Sequence, residues 1–351
     1  MNKLKKITRQ RLFLPLFCML LVLCVNMVYD VVQGNEFYNF FKITITNELL
    51  TGRIINILNR GSEAAILALG MTLVVSSSAG TDISVGSVMS LAGGVCCVLL
   101  AGFGNVNVSE YAIPLWLGVL AGILVACLCG AFNGFLVAGL KIQPMVATLI
   151  LYSAGRAIGL LLCNSNIVYI NVESFKFFGG YCWIFPTPIL ITVLCIVVTA
   201  LGTYVQAVGI NKEAARISGY KSAAIIFICY VVCGLFAGIA GITATSRIYS
   251  ADTNNIGLNL EMDAILAVAL GGNSLGGGKF RLSGSIIGAY TIQAITTTLY
   301  ALGVSSAQAP VFKAIIVILI VTIQSPAVKA YFAKRAAVKN AMMNAGREAQ
   351  A

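Results

Sequence analysis

The chain has 351 residues, of which 59% are hydrophobic and 10% are charged, and its mean hydropathy is +0.92. Because an ordinary soluble chain carries about 25% charged residues, this chain cannot cover a water-exposed surface. Its apolar runs are longer than strands and do not alternate with polar residues, which predicts helices rather than a β-barrel. We therefore expect an all-α polytopic membrane protein.

The charge and cysteine patterns exclude several other classes. The net charge of +11 comes without a basic face of interleaved aromatic residues, so nucleic-acid binding is not expected. The chain has no histidine, and ten of its eleven cysteines lie within apolar runs, where cysteine behaves as a small hydrophobic side chain. We expect no metal site and no catalytic site, and hence no enzyme.

In chain order, a basic N-terminus (residues 1–11) precedes an apolar run without a signal-peptide cleavage site, which predicts an uncleaved first span. A transmembrane domain is predicted over residues 12–328, and a basic tail over 329–351. About ten spans are expected, some of them short or broken. They lie near residues 12–29, 64–78, 83–103, 111–140, 145–163, 183–203, 222–244, 264–270, 283–303 and 310–328.

The distribution of basic residues predicts the orientation of these spans. Lys141, Arg216, Lys279 and Lys334 all follow even-numbered spans. Because positive charge marks the cytoplasmic side of a membrane protein, these loops and both termini are predicted to be cytoplasmic. Glycines four residues apart recur within the spans, which predicts close helix packing. The pairs are Gly118/Gly122, Gly130/Gly134, Gly155/Gly159, Gly234/Gly238 and Gly284/Gly288.

Two breaks in the apolar pattern are candidates for function. Residues 80–86, Gly-Thr-Asp-Ile-Ser-Val-Gly, place the acid Asp82 in apolar sequence, which is costly in a bilayer. Either the break lines a cavity in the bundle, or Asp82 caps the next helix at the cytoplasmic edge. A second break near Asp263, with glycine-rich sequence after it, occupies a loosely matching position and hints at an internal repeat.

The glycine run before Lys279 is not a phosphate-binding loop. That motif requires glycine where Asn273 stands and Ser or Thr where Phe280 stands. If the chain serves an ATP-driven pump, the ATPase is therefore another polypeptide.

Residues 209–221, Gly-Ile-Asn-Lys-Glu-Ala-Ala-Arg-Ile-Ser-Gly-Tyr-Lys, form a charged segment between two long apolar runs. Its two alanines and Gly219 predict a short helix with a small apolar face that ends at the glycine. Such a helix suits docking into a groove of a partner. An ordinary solvated loop remains the alternative.

Several segments together resemble a known family. They are Leu-Gly-Met-Thr-Leu-Val (69–74), Asp-Ile-Ser-Val-Gly-Ser (82–87), Lys-Ile-Gln-Pro-Met-Val-Ala-Thr-Leu (141–149), Val-Gly-Ile-Asn (208–211), Ala-Asp-Thr-Asn-Asn-Ile-Gly (251–257) and Leu-Glu-Met-Asp-Ala-Ile-Leu-Ala-Val (260–268). Over about residues 55–325 the chain resembles the permeases of bacterial ATP-binding-cassette (ABC) importers for simple sugars, the ribose/galactose/xylose group. The segments 141–144 and 251–258 look most like a galactofuranose permease. One departure is Ala79-Gly80 before the acid, where the family often has two glycines.

The resemblance implies a permease subunit in the bacterial inner membrane that translocates a monosaccharide. It would pair, as a homo- or heterodimer, with two cytoplasmic ATPases that bind ATP and magnesium, and this chain itself would hold no cofactor. A periplasmic sugar-binding protein would deliver the sugar, and membrane lipid would surround the spans. The segment 204–222 would couple to the ATPases. The residues implied there are Asn211, Glu213, Ala214, Ala215, Arg216 and Gly219.

We expect a permissive substrate pathway lined by a few polar residues of the spans and loops. The candidates are Asp82, Ser84, Asn133, Gln143, Asn254 and Asn255. An ion-coupled secondary transporter, with Asp82 as the coupling acid, remains an alternative. So does the same ABC architecture with nucleoside, autoinducer or amino-acid cargo.

Overall fold

The computed structural model describes residues 13–32, 34, 39–46, 49–199 and 203–324. The predicted basic ends, residues 1–11 and 329–351, lie outside these residues. The described chain is mostly helical, with a π-helical turn (Phe135–Gly139) and short 3-10 turns besides its α-helices. The α-helices are α1 (Phe13–Val32), α2 (Arg53–Ser78), α3 (Val85–Ala101), α4 (Leu115–Gly134), α5 (Pro144–Leu162), α6 (Thr187–Thr199), α7 (Thr203–Ile210), α8 (Lys212–Ile217), α9 (Ser222–Ile248), α10 (Leu260–Leu270), α11 (Leu282–Ala301) and α12 (Ala309–Gln324).

Five of these helices are long and apolar enough to cross a membrane: α1, α2, α4 with its π-turn, α5 and α9. The helices coincide with the predicted spans to within a few residues at most ends, so the prediction of a helical polytopic membrane protein is confirmed in outline. The exact number of spans and the side of each terminus stay predictions. The largest difference is at α2, which begins at Arg53 rather than near residue 64, because the amphipathic segment before the predicted span continues the same helix.

Contacts divide the chain into a large unit that ends at Thr298 and a small unit that begins at Leu299 and includes α12. In the large unit α2 is the central helix, since 94% of its apolar window is buried. It packs against α6, α9 and α10, while α3 packs against α4, α5 and α9. The outer faces of α4 and α5 are largely exposed and apolar, as expected of helices that face lipid.

The glycine pairs are at helix contacts, which confirms the packing interpretation. Gly130 of α4 lies against the backbone of Gly234 on α9, and a Cβ at either position would overlap the neighbouring helix. A Cβ at Gly118 or Gly122 would overlap α3, and one at Gly284 or Gly288 would overlap α10 or the residue after it, whereas Gly155 and Gly159 make ordinary contacts of 3.4 Å or more with α3 and Thr253. Close backbone approach of this kind lets helices pack tightly in lipid, where dispersion rather than the hydrophobic effect drives association.

In the described residues, seven short strands pair the connecting segments with one another at one end of the large unit. We call this end the strand end. Strand β3 (Asn107–Val108) pairs in parallel with β4 (Val168–Ile170), which pairs with β7 (Ser250–Ala251) in antiparallel fashion. Two hairpins lie beside each other, because the Leu50 N–H donates to the Ile184 carbonyl at 3.1 Å. They are β1–β2 (Thr44–Thr46, Leu49–Thr51) and β5–β6 (Tyr181–Cys182, Phe185–Pro186).

The intervening connections meet at the opposite end, which we call the loop end. There the Ser76 hydroxyl donates to the Lys279 carbonyl at 2.8 Å, and a Cβ at Gly80 would contact the Pro144 ring at 2.5 Å. Successive connections thus alternate between the two ends, as the predicted alternation of spans requires. Polar contacts attach α1 to this unit: Asp30 forms an ion pair with Arg53 at 2.5 Å, and Asn26 donates to the Thr298 hydroxyl at 2.6 Å.

Candidate functional site

The first candidate site is the chain reversal between α2 and α3. Helix α2 ends at Ala79, whose φ of 59° turns the backbone back on itself. The backbone N–H of Asp82 then points to the Met71 sulfur at 3.5 Å, so the acid lies beside α2 rather than beyond its end. Helix α3 begins only at Val85. The break therefore lies inside the bundle, with Asp82 only 3% exposed.

Asp82, Ser84 and Asn133 form one buried hydrogen-bond chain, which we call the Asp82 network. Oδ1 of Asp82 accepts from the Ser84 backbone N–H at 2.9 Å and from its hydroxyl at 2.6 Å. The Asn133 amide, from α4, donates to the Ser84 hydroxyl at 2.8 Å. Ser84 and Asn133 are each 1% exposed. Three of the six predicted pathway residues are thus brought together.

The geometry excludes the interpretation that Asp82 caps α3. The residue that precedes the helix is Ser84, and no side-chain hydrogen bond caps the first turn. Asp82 instead closes a local turn onto Ser84, while the Ile83 N–H donates to the Thr148 hydroxyl of α5 at 3.1 Å. Two buried polar atoms here have no hydrogen-bond partner among the described residues: Oδ1 of Asn133, in the Asp82 network, and the hydroxyl of Thr81, the residue before Asp82.

The segment before α10, residues 252–259, packs directly on the first break. A Cβ at Gly86 would overlap both the Gly257 carbonyl and the Glu261 carboxylate, and a Cβ at Gly257 would overlap the Gly86 carbonyl. Gly257 also has a φ of 73°, which a side chain would strain. From α5, Nη1 of Arg156 donates to three backbone carbonyls of this segment at 2.7 to 3.2 Å. Residues 252–259 and the first break are thus in backbone contact. The predicted second break is α10 itself, which contains Asp263, with the glycine-rich loop after it; an internal repeat stays a prediction.

The remaining pathway candidates lie apart from the Asp82 network. Gln143 is exposed at the loop end, immediately before α5, and lines a cavity of about 370 Å³ together with Lys141 and Ser222. Asn254 and Asn255 are exposed in the segment 252–259, where the Asp252 carboxylate accepts from both backbone N–H groups at 3.2 and 3.3 Å. Their assignment to a pathway stays a prediction.

The charged segment forms the predicted short helix, α8. The Asn211 side chain caps it by accepting from the N–H groups of Glu213 and Ala214, both at 3.0 Å. Glu213 and Arg216 form an exposed ion pair at 3.0 Å. The chain changes direction after the helix at Gly219, whose φ is 88°. Ile217 is 84% exposed, so α8 presents an apolar side chain on its surface.

Helix α8 is tied to the loop end by a glycine. A Cβ at Gly209, at the end of α7, would overlap the Ser76 carbonyl and lie 3.1 Å from the Gly278 nitrogen. The Gly278 N–H in turn donates to Ser76 O at 3.4 Å. The segment before α8 is thus in backbone contact with the end of α2 and with the loop that leads into α11.

Sequence reasoning missed the roles of Thr148, which binds the first break, and Arg156, which binds the segment 252–259. A lone arginine inside an apolar span was a usable signal for Arg156, since such a charge needs partners. Nothing in the sequence marks Thr148 among the many hydroxyls of the helices. No three Asp, Glu or Cys side chains of the described residues group closely enough to hold a metal ion.

A bundle of apolar helices with polar breaks packed at its centre is typical of membrane transport proteins. Comparison with known proteins agrees. The model of a family described as the permease component of the branched-chain amino acid transport system matches residues 53–323. That match covers most of the chain, which therefore belongs to this family of transport permeases.

Individual relatives cover most of the chain as well. It is 41% identical over 295 residues to the galactofuranose transporter permease protein of Escherichia coli (strain K12), covering 82% of this chain and 84% of that protein. The fructose import permease protein of Bifidobacterium longum (strain NCC 2705) is 38% identical over 79% of this chain and 78% of its own length. The ribose import permease protein of Escherichia coli (strain K12) is 36% identical over 82% of this chain and 87% of its own length.

Proposed function

We propose that this chain is the membrane permease subunit of an ABC importer that takes up a monosaccharide across the bacterial inner membrane. The family match gives the class, and the three relatives named above carry sugar names. Galactofuranose is the first cargo to test, since that relative shares the most identity of the three. ATP and magnesium would be bound by ATPase subunits, and a secreted binding protein would bring the sugar to the strand end.

The observation that carries the ATP-coupled mechanism is the construction of α8. A capped helix presents Ile217 and the Glu213–Arg216 ion pair to solvent, while Gly209 just before it is in backbone contact with α2 and the loop into α11. An ATPase that grips α8 would therefore act on two segments of the bundle at once. The two states of the pump need such differential contacts, because a partner shifts an equilibrium only through them.

We also propose that the Asp82 network lies beside the sugar path. The Asn133 oxygen of this network and the Thr81 hydroxyl next to Asp82 are buried without a partner among the described residues. Such polar groups cost free energy until they find a hydrogen-bond partner. Sugar hydroxyls can donate to the first and accept from the second. We assign most of the discrimination among sugars to the secreted binding protein.

The test is reconstitution in lipid vesicles with the cognate ATPase and secreted binding protein. We expect ATP hydrolysis to rise when the binding protein carries sugar, and uptake to require ATP. Parallel assays with galactofuranose, fructose and ribose identify the cargo. Sugar accumulation by this chain alone under an ion gradient would contradict the proposal and favour the ion-coupled alternative with Asp82.

A further inference from the structure

The strand end carries an apolar patch that the transport mechanism does not use. Trp183, in the turn of the β5–β6 hairpin, is 92% exposed, and Phe185 beside it is 56% exposed. The adjoining β1–β2 hairpin adds Ile45 at 66% and Ile43 at 53%. We call these four side chains the hairpin patch. Contiguous exposed apolar surface of this kind marks a contact with a partner or a membrane.

The patch is continuous with a face that points to lipid. The β5–β6 hairpin ends at Pro186, and α6 begins at the next residue, where the Thr187 N–H bonds back to the Gly180 carbonyl at 3.0 Å. On α6 the exposed side chains Leu190, Leu194 and Val197 form one helical stripe. An exposed apolar stripe on a helix of an integral membrane protein faces hydrocarbon, so the hairpin patch lies at the end of that lipid-facing surface.

The positions of the two tryptophans of the chain indicate that the hairpin patch lies at the membrane–water interface. Trp116, 64% exposed, is the second residue of α4, and α4 begins at the strand end, as α6 does. Both tryptophans thus lie close to the first turn of an apolar helix at one end of the bundle. Tryptophan concentrates at the membrane–water interface, where its ring spans the apolar and the hydrated layer.

Charge near the hairpins suits phospholipid headgroups. Lys42, at the base of the β1–β2 hairpin, is exposed, and so is Lys176, on the 3-10 turn before the β5–β6 hairpin. The Lys176 ammonium lies 5.6 Å from the Tyr249 ring centre, within the range of a cation–π contact. Apolar tips flanked by lysines are the arrangement found in segments that lie in the headgroup layer.

We propose that the paired hairpins are an interfacial anchor whose apolar tips lie among the phospholipids of the outer leaflet, with Trp183 at the boundary between headgroups and acyl chains. The anchor holds the strand end at a fixed depth. It does not serve as a docking surface for the secreted binding protein. This inference rests on a membrane-spanning chain with the predicted orientation and is independent of the cargo.

A single-tryptophan variant tests the depth of Trp183. The Trp116→Phe chain, reconstituted in phosphatidylcholine vesicles, leaves Trp183 as the only tryptophan. We expect blue-shifted emission that shallowly brominated phosphatidylcholine quenches strongly, deeply brominated lipid quenches less, and aqueous acrylamide barely quenches. The matched Trp183→Phe chain reports Trp116 at the start of α4 and serves as the reference for an interfacial tryptophan.

Two results would overturn the anchor. One is red-shifted Trp183 emission that acrylamide quenches freely and that brominated lipid leaves unchanged. The other is Trp183 emission that is accessible to acrylamide in vesicles and becomes shielded only when the secreted binding protein is added. That second result would assign the hairpin patch to protein docking instead.

Discussion

At the scale of single residues, Asp82 shows how much of a site depends on tertiary structure. The sequence identifies the acid as exceptional but leaves two interpretations, because its depth depends on how residues 79–84 fold back along α2. The structure places its N–H against Met71 and its carboxylate on Ser84. Neither contact has a sequence signature, since both follow from a left-handed turn at Ala79, where no glycine announces one.

Substitution of Asp82 separates the role of the acceptor oxygen from that of the charge. Asp82→Asn keeps the oxygen that accepts both Ser84 hydrogen bonds, so we expect stability in detergent and sugar-stimulated ATP hydrolysis to change little. Asp82→Ala leaves the Ser84 N–H without its acceptor and should cost about 1–3 kcal/mol. Denaturant-unfolding curves and ATPase assays of both variants check this. Loss of transport in the stable Asp82→Asn protein would indicate a charge-dependent, ion-coupled step.

At the scale of elements, apolar run length predicts the helices well and the segments between them poorly. Runs near 20 residues have few alternatives in lipid, and α3, α5, α9 and α11 begin and end within a few residues of their predicted spans. The strands were missed because each has only two or three residues, too few for a periodic pattern. The packing of residues 252–259 onto Gly86 was missed as well, because it joins segments far apart in the chain.

Helix α8 gives the prediction at this scale. Ile217→Ser removes the most exposed apolar side chain of the helix without touching a buried contact, so we expect normal insertion and thermal stability. If the ATPase covers α8, the variant should lose most of the sugar-stimulated ATP hydrolysis of the assembled importer. Phe103→Ser, which removes a 74% exposed side chain at the strand end, is the matched control and should retain it. Equal activity of the two variants would remove Ile217 from the coupling surface.

At the scale of the whole large unit, the connections sort into two ends. Charge counting predicts this alternation, because basic residues after even-numbered spans mark one side. The structure adds that each end is cross-connected, by strands at one and by backbone contacts among Ser76, Gly209 and Gly278 at the other. Sequence alone could not foresee those cross-connections, which join residues up to about two hundred positions apart.

Cysteine labelling tests the predicted orientation. Val106→Cys places a thiol in an exposed segment of the strand end, and Lys221→Cys places one beside α8. In intact cells a membrane-impermeant maleimide should label the first variant and should label the second only after permeabilisation. The parent chain, whose cysteines lie mostly in helices, gives the background. The reverse pattern would invert the topology and place α8 outside the cell.

The contact at Gly209 has a mechanical consequence. Packed protein interiors have low compressibility and transmit strain, and here main chain rests on main chain with no side chain between. A push on α8 toward the bundle therefore meets backbone contact within two residues of the helix cap. The loop end therefore resists movement of α8 toward the bundle. Adding a methyl group at position 209 would force the end of α7 away from Ser76, even though the variant would leave the exposed surface of α8 unchanged.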